Sequence, residues 1–170
     1  MSTSNLRQQA RQLGKLLRSQ RNTLATAESL TGGGIAAELT AIPGSSEWFC
    51  GGIVTYTNAW KHRFLGVPLE TLKRFDAVSS QTVQAMLNGL RTKTGVDYAI
   101  AVSGFAGPGG GLPDRPVGTV FVGVAGPDWQ IVQECHFIGT RAQIRRQTAW
   151  KAISLLLTRL QPHTSAAADN

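Results

Sequence analysis

Cysteine is scarce in this sequence. Cys50 and Cys135 are the only two among 170 residues, and they share no CxxC spacing. That excludes a disulfide framework and points to two reduced, partly buried thiols in a cytoplasmic protein. Histidine is as sparse: His62, His136 and His163 have no metal-ligand spacing, so no metal is expected. No stretch approaches the ~20 apolar residues of a membrane span, and no secretory apolar run follows the start. The N-terminus is Arg-rich and acid-free, as transit peptides are. Leu6, Ala10, Leu13 and Leu17, however, recur at spacings of four, three and four, which describes a surface helix.

Acid is the other shortage. There are 10 Asp and Glu against 17 Lys and Arg, a formal charge of +7. A basic balance of this size raises the question of nucleic acid. The surplus is uneven. Residues 1–27 carry Arg7, Arg11, Lys15, Arg18 and Arg21 and no carboxylate, so the rest of the chain is nearly balanced. No basic stripe with interleaved aromatics runs through that remainder, which argues against a nucleic-acid partner.

Glycine is what the chain has in excess, with 19 in 170 residues against a typical ~7%. The glycines punctuate an alternation of helical and extended patterns. A helix is predicted over residues 4–20 and a β-prone run over 23–27. A second helix starts among Gly32, Gly33 and Gly34 and carries Ile35, Ala36 and Leu39. Pro43-Gly44 breaks the chain, and Ser45-Ser46 offers cap chemistry for a turn through Trp48-Phe49. Strand 51–56, helix 58–65 and helix 79–93 follow, then strands 97–102, 117–124 and 130–137. Gly126-Pro127-Asp128 makes the last two a hairpin. Thr140 with Gln143 three residues on is a capping box opening the final helix. The tail from 161 is polar. Alternating strands and helices, with one hairpin, predict an α/β fold: a three-layer α/β/α sandwich around a mixed, mainly parallel sheet of about five strands, in a single domain whose core spans about 5–160.

In such sheets ligands bind on the loops after the strands. Residues 28–34, 44–61 and 103–111 are the candidates. The first and third are Gly-rich and can bring backbone N–H groups close to an anion or a developing oxyanion, although tight turns need the same glycines. Neither is a nucleotide fingerprint. The middle loop places Tyr56 and Lys61 across a strand-to-helix junction. A desolvated lysine near a hydroxyl can act as a base, with Ser29, Ser45 and Ser46 as candidate nucleophiles, an arrangement suited to amide hydrolysis. A helix cap and a surface lysine are the competing readings of these residues. Arg141, Arg145 and Arg146 oppose the dipole of the last helix, which either hints at a phosphate or describes a solvated face.

Several separated runs resemble the C-terminal domain family of the CinA proteins. They are Thr26-Ala27-Glu28-Ser29-Leu30-Thr31-Gly32-Gly33, Pro43-Gly44-Ser45-Ser46, and Gly52-Ile53-Val54-Thr55-Tyr56-Thr57-Asn58 with Lys61. Leu65-Gly66-Val67, Ala77-Val78-Ser79, Ser103-Gly104-Phe105-Ala106-Gly107-Pro108-Gly109-Gly110 and Pro116-Val117-Gly118-Thr119-Val120 continue the match over about residues 5–160. The resemblance implies a nicotinamide-nucleotide amidohydrolase. Such an enzyme deamidates nicotinamide mononucleotide to nicotinate mononucleotide and ammonia, recycling pyridine nucleotide without metal or organic cofactor. It implies Ser46 as nucleophile, Lys61 as base and Tyr56 beside them. It implies a substrate pocket drawn from Ser29, Thr31, Gly32, Gly33, Ser45, Asn58, Ser103, Gly107, Pro108, Gly109, Gly110, Arg141 and Arg145. The chain is too short for the N-terminal molybdopterin-binding-like domain of longer relatives, so a stand-alone enzyme, working as a homo-oligomer, is expected. Leu30, Trp60, Leu112 and Arg115 depart from residues usual in the family. The alternative is a non-catalytic, competence- or DNA-damage-associated protein that binds through its basic N-terminal helix.

Overall fold

The computed structural model describes residues 3–161; the polar tail beyond 161 and His163 lie outside the described residues. Six helices and five strands alternate along it. They are α1 (Thr3–Gln20), β1 (Leu24–Glu28), α2 (Gly34–Thr40), β2 (Phe49–Val54), α3 (Asn58–Leu65), α4 (Leu69–Phe75), α5 (Ser80–Thr94), β3 (Tyr98–Gly104), β4 (Thr119–Ala125), β5 (Gln130–His136) and α6 (Arg141–Leu160). The sheet order is β2-β1-β3-β4-β5. β2, β1 and β3 run parallel, β4 is antiparallel to both of its neighbours, and four strands therefore point one way. The predicted β4–β5 hairpin is present.

Side-chain alternation on the strands makes the three layers. Ile100, Val102, Val120, Val122 and Val124 face α1, α2 and α6, while Ala25, Ala27, Ala99, Ala101 and Phe121 face α5 and the helices beside it. β1, β3 and β4 are covered on both faces, which is why they read as unbroken apolar or small-residue runs. The stripe of α1 is buried as its spacing demands, with Leu6, Leu13 and Leu17 at or below 2% exposure. Each such leucine stabilises by about 1.5–3 kcal/mol. The cations of α1 are partly spoken for: Arg7 pairs with Glu38, and Arg18 grips Glu47 through two nitrogens.

Some expectations are corrected. The turn at Ser45–Glu47 is a 3-10 turn capped by Gly44 in a left-handed conformation (φ 77°), without a side-chain cap bond. Phe49 is already in β2, which begins and ends two residues before the predicted strand. α4 was not anticipated: it is a seven-residue helix after Pro68, with only Leu72 buried. α2 begins at Gly34, within the glycine run where its start was expected. Cys50 is exposed on β2, and both cysteines are free.

Candidate active site

β1, β2 and β3 are parallel, so their carboxyl ends open on the same side of the molecule. Ser29 follows β1 directly. Thr55 and Tyr56 follow β2, and Ser103 and Gly104 close β3. Ser29, Tyr56, Ser103 and Gly104, together with Leu30, Lys61, Ala77, Val78, Phe105, Ala106, Gly107, Gly109 and Arg141, line a cleft of about 230 Å³. No carboxylate stands among those lining residues.

Lys61 is the unusual group. Thr57 caps α3 by accepting from the Trp60 N–H, and the helix then turns Lys61 inward, where its side chain is fully buried. Its Nζ donates to the Thr55 carbonyl at 2.8 Å and lies 3.1 Å from Ser29 Oγ. Burial lowers its pKa from 10.5 to about 8. No carboxylate offsets the cost of burying this charge, so a sizeable fraction is neutral near pH 7.5 and free to accept a proton. Ser29 is itself 7% exposed. The pair therefore has the two elements of a Ser–Lys catalytic unit, a hydroxyl and a desolvated amine in contact.

Ser46, expected as the nucleophile, does not meet Lys61 within this chain. It is exposed in the 3-10 turn ahead of β2, whereas Lys61 follows the far end of that strand. Six strand residues separate the two ends by roughly 20 Å. Ser45 shares its position. The hydroxyl that the topology delivers to Lys61 is that of Ser29, one of the three candidate nucleophiles by residue type, which the family resemblance put in the pocket wall.

The remaining expectations divide. Tyr56, Ser103, Gly107, Gly109 and Arg141 line the cleft. Arg141 bridges it, one nitrogen donating to Gly107 O at 2.8 Å and another to Tyr56 Oη at 3.0 Å. Gly107 (φ 76°) has no room for a side chain: a Cβ there would stand 2.6 Å from Val117 Cγ1. Thr31, Gly32, Gly33, Asn58, Pro108, Gly110 and Arg145 are not among the lining residues. Arg145 works from behind, donating to Thr31 O at 2.6 Å, and Asn58 is an exposed first residue of α3. Trp60 turns outward onto the Phe64 ring, 4.7 Å between centroids, so it does not shape the cleft.

Two residues were missed. Glu28, 0% exposed, accepts from Ile35 N at 3.0 Å, Ala36 N at 2.8 Å and Thr26 Oγ1 at 3.2 Å. It occupies the start of α2, so the backbone N–H groups of that helix end hold an internal carboxylate. The TAES run carried this signal: an acid just before a Gly-rich helix start. Arg115, from the loop before β4, donates to Val78 O at 2.7 Å and pairs with Asp76, bracing the cleft wall at 76–78.

The chain is a three-layer α/β sandwich with a buried serine–lysine pair at the carboxyl ends of its parallel strands. The CinA C-terminal domain family model matches residues 6–160, and the chain belongs to that family. It is 46% identical to the nicotinamide-nucleotide amidohydrolase PncC of Pseudomonas putida, over 87% of this chain and 92% of that protein. It is 44% identical to a CinA-like protein of Thermotoga maritima over 84% of this chain but 35% of that protein, so it spans about a third of that longer relative. Among solved structures, the competence/damage-inducible protein CihA of Agrobacterium tumefaciens superposes with a TM-score of 0.91 at 37% identity, covering 95% of this chain and 99% of that one. A CinA superfamily protein of Klebsiella pneumoniae gives 0.88 at 34% identity, covering 91% and 97%.

Proposed function

We propose that the chain is an amidohydrolase that converts nicotinamide mononucleotide and water to nicotinate mononucleotide and ammonia, with Ser29 as nucleophile and Lys61 as base. The observation that carries the chemistry is the contact between Ser29 Oγ and the buried, uncompensated Lys61 amine. The similarity to the Pseudomonas putida amidohydrolase supplies the substrate.

Neutral Lys61 takes the Ser29 proton as Oγ attacks the carboxamide carbon. The carbonyl electrons move to oxygen, where backbone N–H groups of the cleft-lining glycine loop, such as those of Gly107 and Gly109, serve as donors. The intermediate collapses, the lysine ammonium gives its proton to the departing nitrogen, and ammonia leaves. Lys61, neutral again, activates a water that attacks the acyl-serine. Ser29 recovers its proton, and the acid is released. The Thr55 carbonyl aims the amine throughout. In this reading Arg141, the other cation lining the cleft, holds the 5′-phosphate, supported by its hydrogen bond to Tyr56 Oη, which orients the guanidinium.

The test is ammonia release from nicotinamide mononucleotide by the purified chain. Stoichiometric ammonia and nicotinate mononucleotide are expected. A folded protein that yields neither contradicts the proposal.

A further inference from the structure

We propose that Ser103 reads the amide nitrogen of the substrate and so separates the amide from the acid it becomes; this rests on the deamidase reading above. Ser103 lies on β3 two residues beyond Ala101, on the sheet face packed toward α5. It is 1% exposed and lines the cleft. Its Oγ is 2.6 Å from the Ala77 carbonyl oxygen. A carbonyl cannot donate, so the hydroxyl proton is committed to that bond. A serine hydroxyl has one proton and two lone pairs, and what remains for the cleft is acceptor only.

The acceptor is held in that state. The Asp76–Val78 segment is pinned by Thr82 Oγ1 on Asp76 O at 2.6 Å and by Arg115 on Val78 O at 2.7 Å. The Ala77 carbonyl therefore has no freedom to swing away and release the serine proton. The two cleft serines are opposites: Ser29 must surrender its proton, while Ser103 has none to offer. A primary carboxamide presents two N–H donors beside its carbonyl. The product carboxylate presents acceptors alone at neutral pH. Against a fixed lone pair the amide gains a hydrogen bond, and the carboxylate meets lone-pair repulsion. The same contact turns the substrate NH2 toward Ser103 and leaves the carbonyl oxygen to the backbone donors. Ser103 makes and breaks no bond; it determines specificity and favours product departure.

The experiment measures binding of nicotinamide mononucleotide and of nicotinate mononucleotide by calorimetry at pH 7, in a Ser29→Ala background with and without Ser103→Ala. The expected result is a preference for the amide that falls about tenfold on losing Ser103, the size of one hydrogen bond. A purely structural loosening of the wall would weaken both ligands alike. An unchanged ratio therefore overturns the assignment. Should Ser103→Ala fail to fold, the near-isosteric pair Ser103→Thr and Ser103→Val serves the same comparison. Threonine should keep the preference and valine lose it; equal preference in both overturns the assignment. A chain with native Ser29 and Ser103 that releases no ammonia contradicts the deamidase reading, whereas an unchanged ratio in an active enzyme contradicts only the role of Ser103.

Discussion

Replacing Lys61 by methionine should abolish activity and stabilise the protein at neutral pH. The side chain is fully buried, and its pKa falls from 10.5 to about 8. That displacement corresponds to about 3 kcal/mol of folding free energy lost to desolvating the charge, at 1.36 kcal/mol per pH unit. Methionine fills a similar volume without the charge, but it leaves the Thr55 carbonyl without the Lys61 donor, which costs roughly 1–2 kcal/mol. The net expectation is a variant more stable by about 1–2 kcal/mol, or roughly 2–8 °C in Tm for a chain of this size.

The sign is testable through pH. The folded pKa is lowered, so between about 8 and 10.5 the unfolded chain holds the proton that the folded one has released. The unsubstituted protein must gain stability as pH rises through that window, and the methionine variant must lack that gain. Their difference should be full below pH 8, shrink above it, change sign about one pH unit higher and be fully reversed by 10.5, where only the lost hydrogen bond remains. Urea unfolding of both proteins at pH 7, 9 and 10.5 reads this directly. A methionine variant less stable at pH 7, or a gap independent of pH, would refute the reasoning.

Other outcomes follow from the same geometry. The rate of amide hydrolysis should rise with pH and level off above about 8, as Lys61 becomes neutral; a profile flat from pH 6 to 9 would remove it as base. Glu28→Ala should lower stability by about 1–3 kcal/mol, because it strands the Ile35 and Ala36 N–H groups, and urea unfolding measures the loss. Arg141→Ala should raise KM for nicotinamide mononucleotide roughly tenfold or more while leaving the fold intact, as its bonds to Gly107 and Tyr56 and the proposed phosphate contact go together; steady-state kinetics with a circular-dichroism control decide it.

Local signals were legible in the sequence. The Thr140–Gln143 capping box is formed in both directions, and α3 runs from Asn58 to Leu65 with Gly66 closing it, as the residue pattern requires. The β4–β5 hairpin was announced by its turn residues. α4 was not legible, because seven residues with one buried leucine carry no periodic stripe. The site was half legible. Residue types identified Lys61 and the glycine loops, but which serine meets the lysine depends on strand direction. Ser29 follows β1, Ser46 precedes β2, and only the parallel pairing of those strands places one hydroxyl at the amine and the other a strand length away. The use of Arg145 to hold the Thr31 carbonyl is likewise a contact across 114 residues of sequence, which no local pattern encodes.

The most direct measurement is the rate of ammonia release from nicotinamide mononucleotide by Ser29→Ala and Ser46→Ala, assayed beside the unsubstituted chain. The account predicts that Ser29→Ala loses activity by roughly a thousandfold or more while Ser46→Ala stays within a few-fold of the parent. Activity retained by Ser29→Ala and lost by Ser46→Ala would contradict it, and would return the nucleophile to the opposite end of β2.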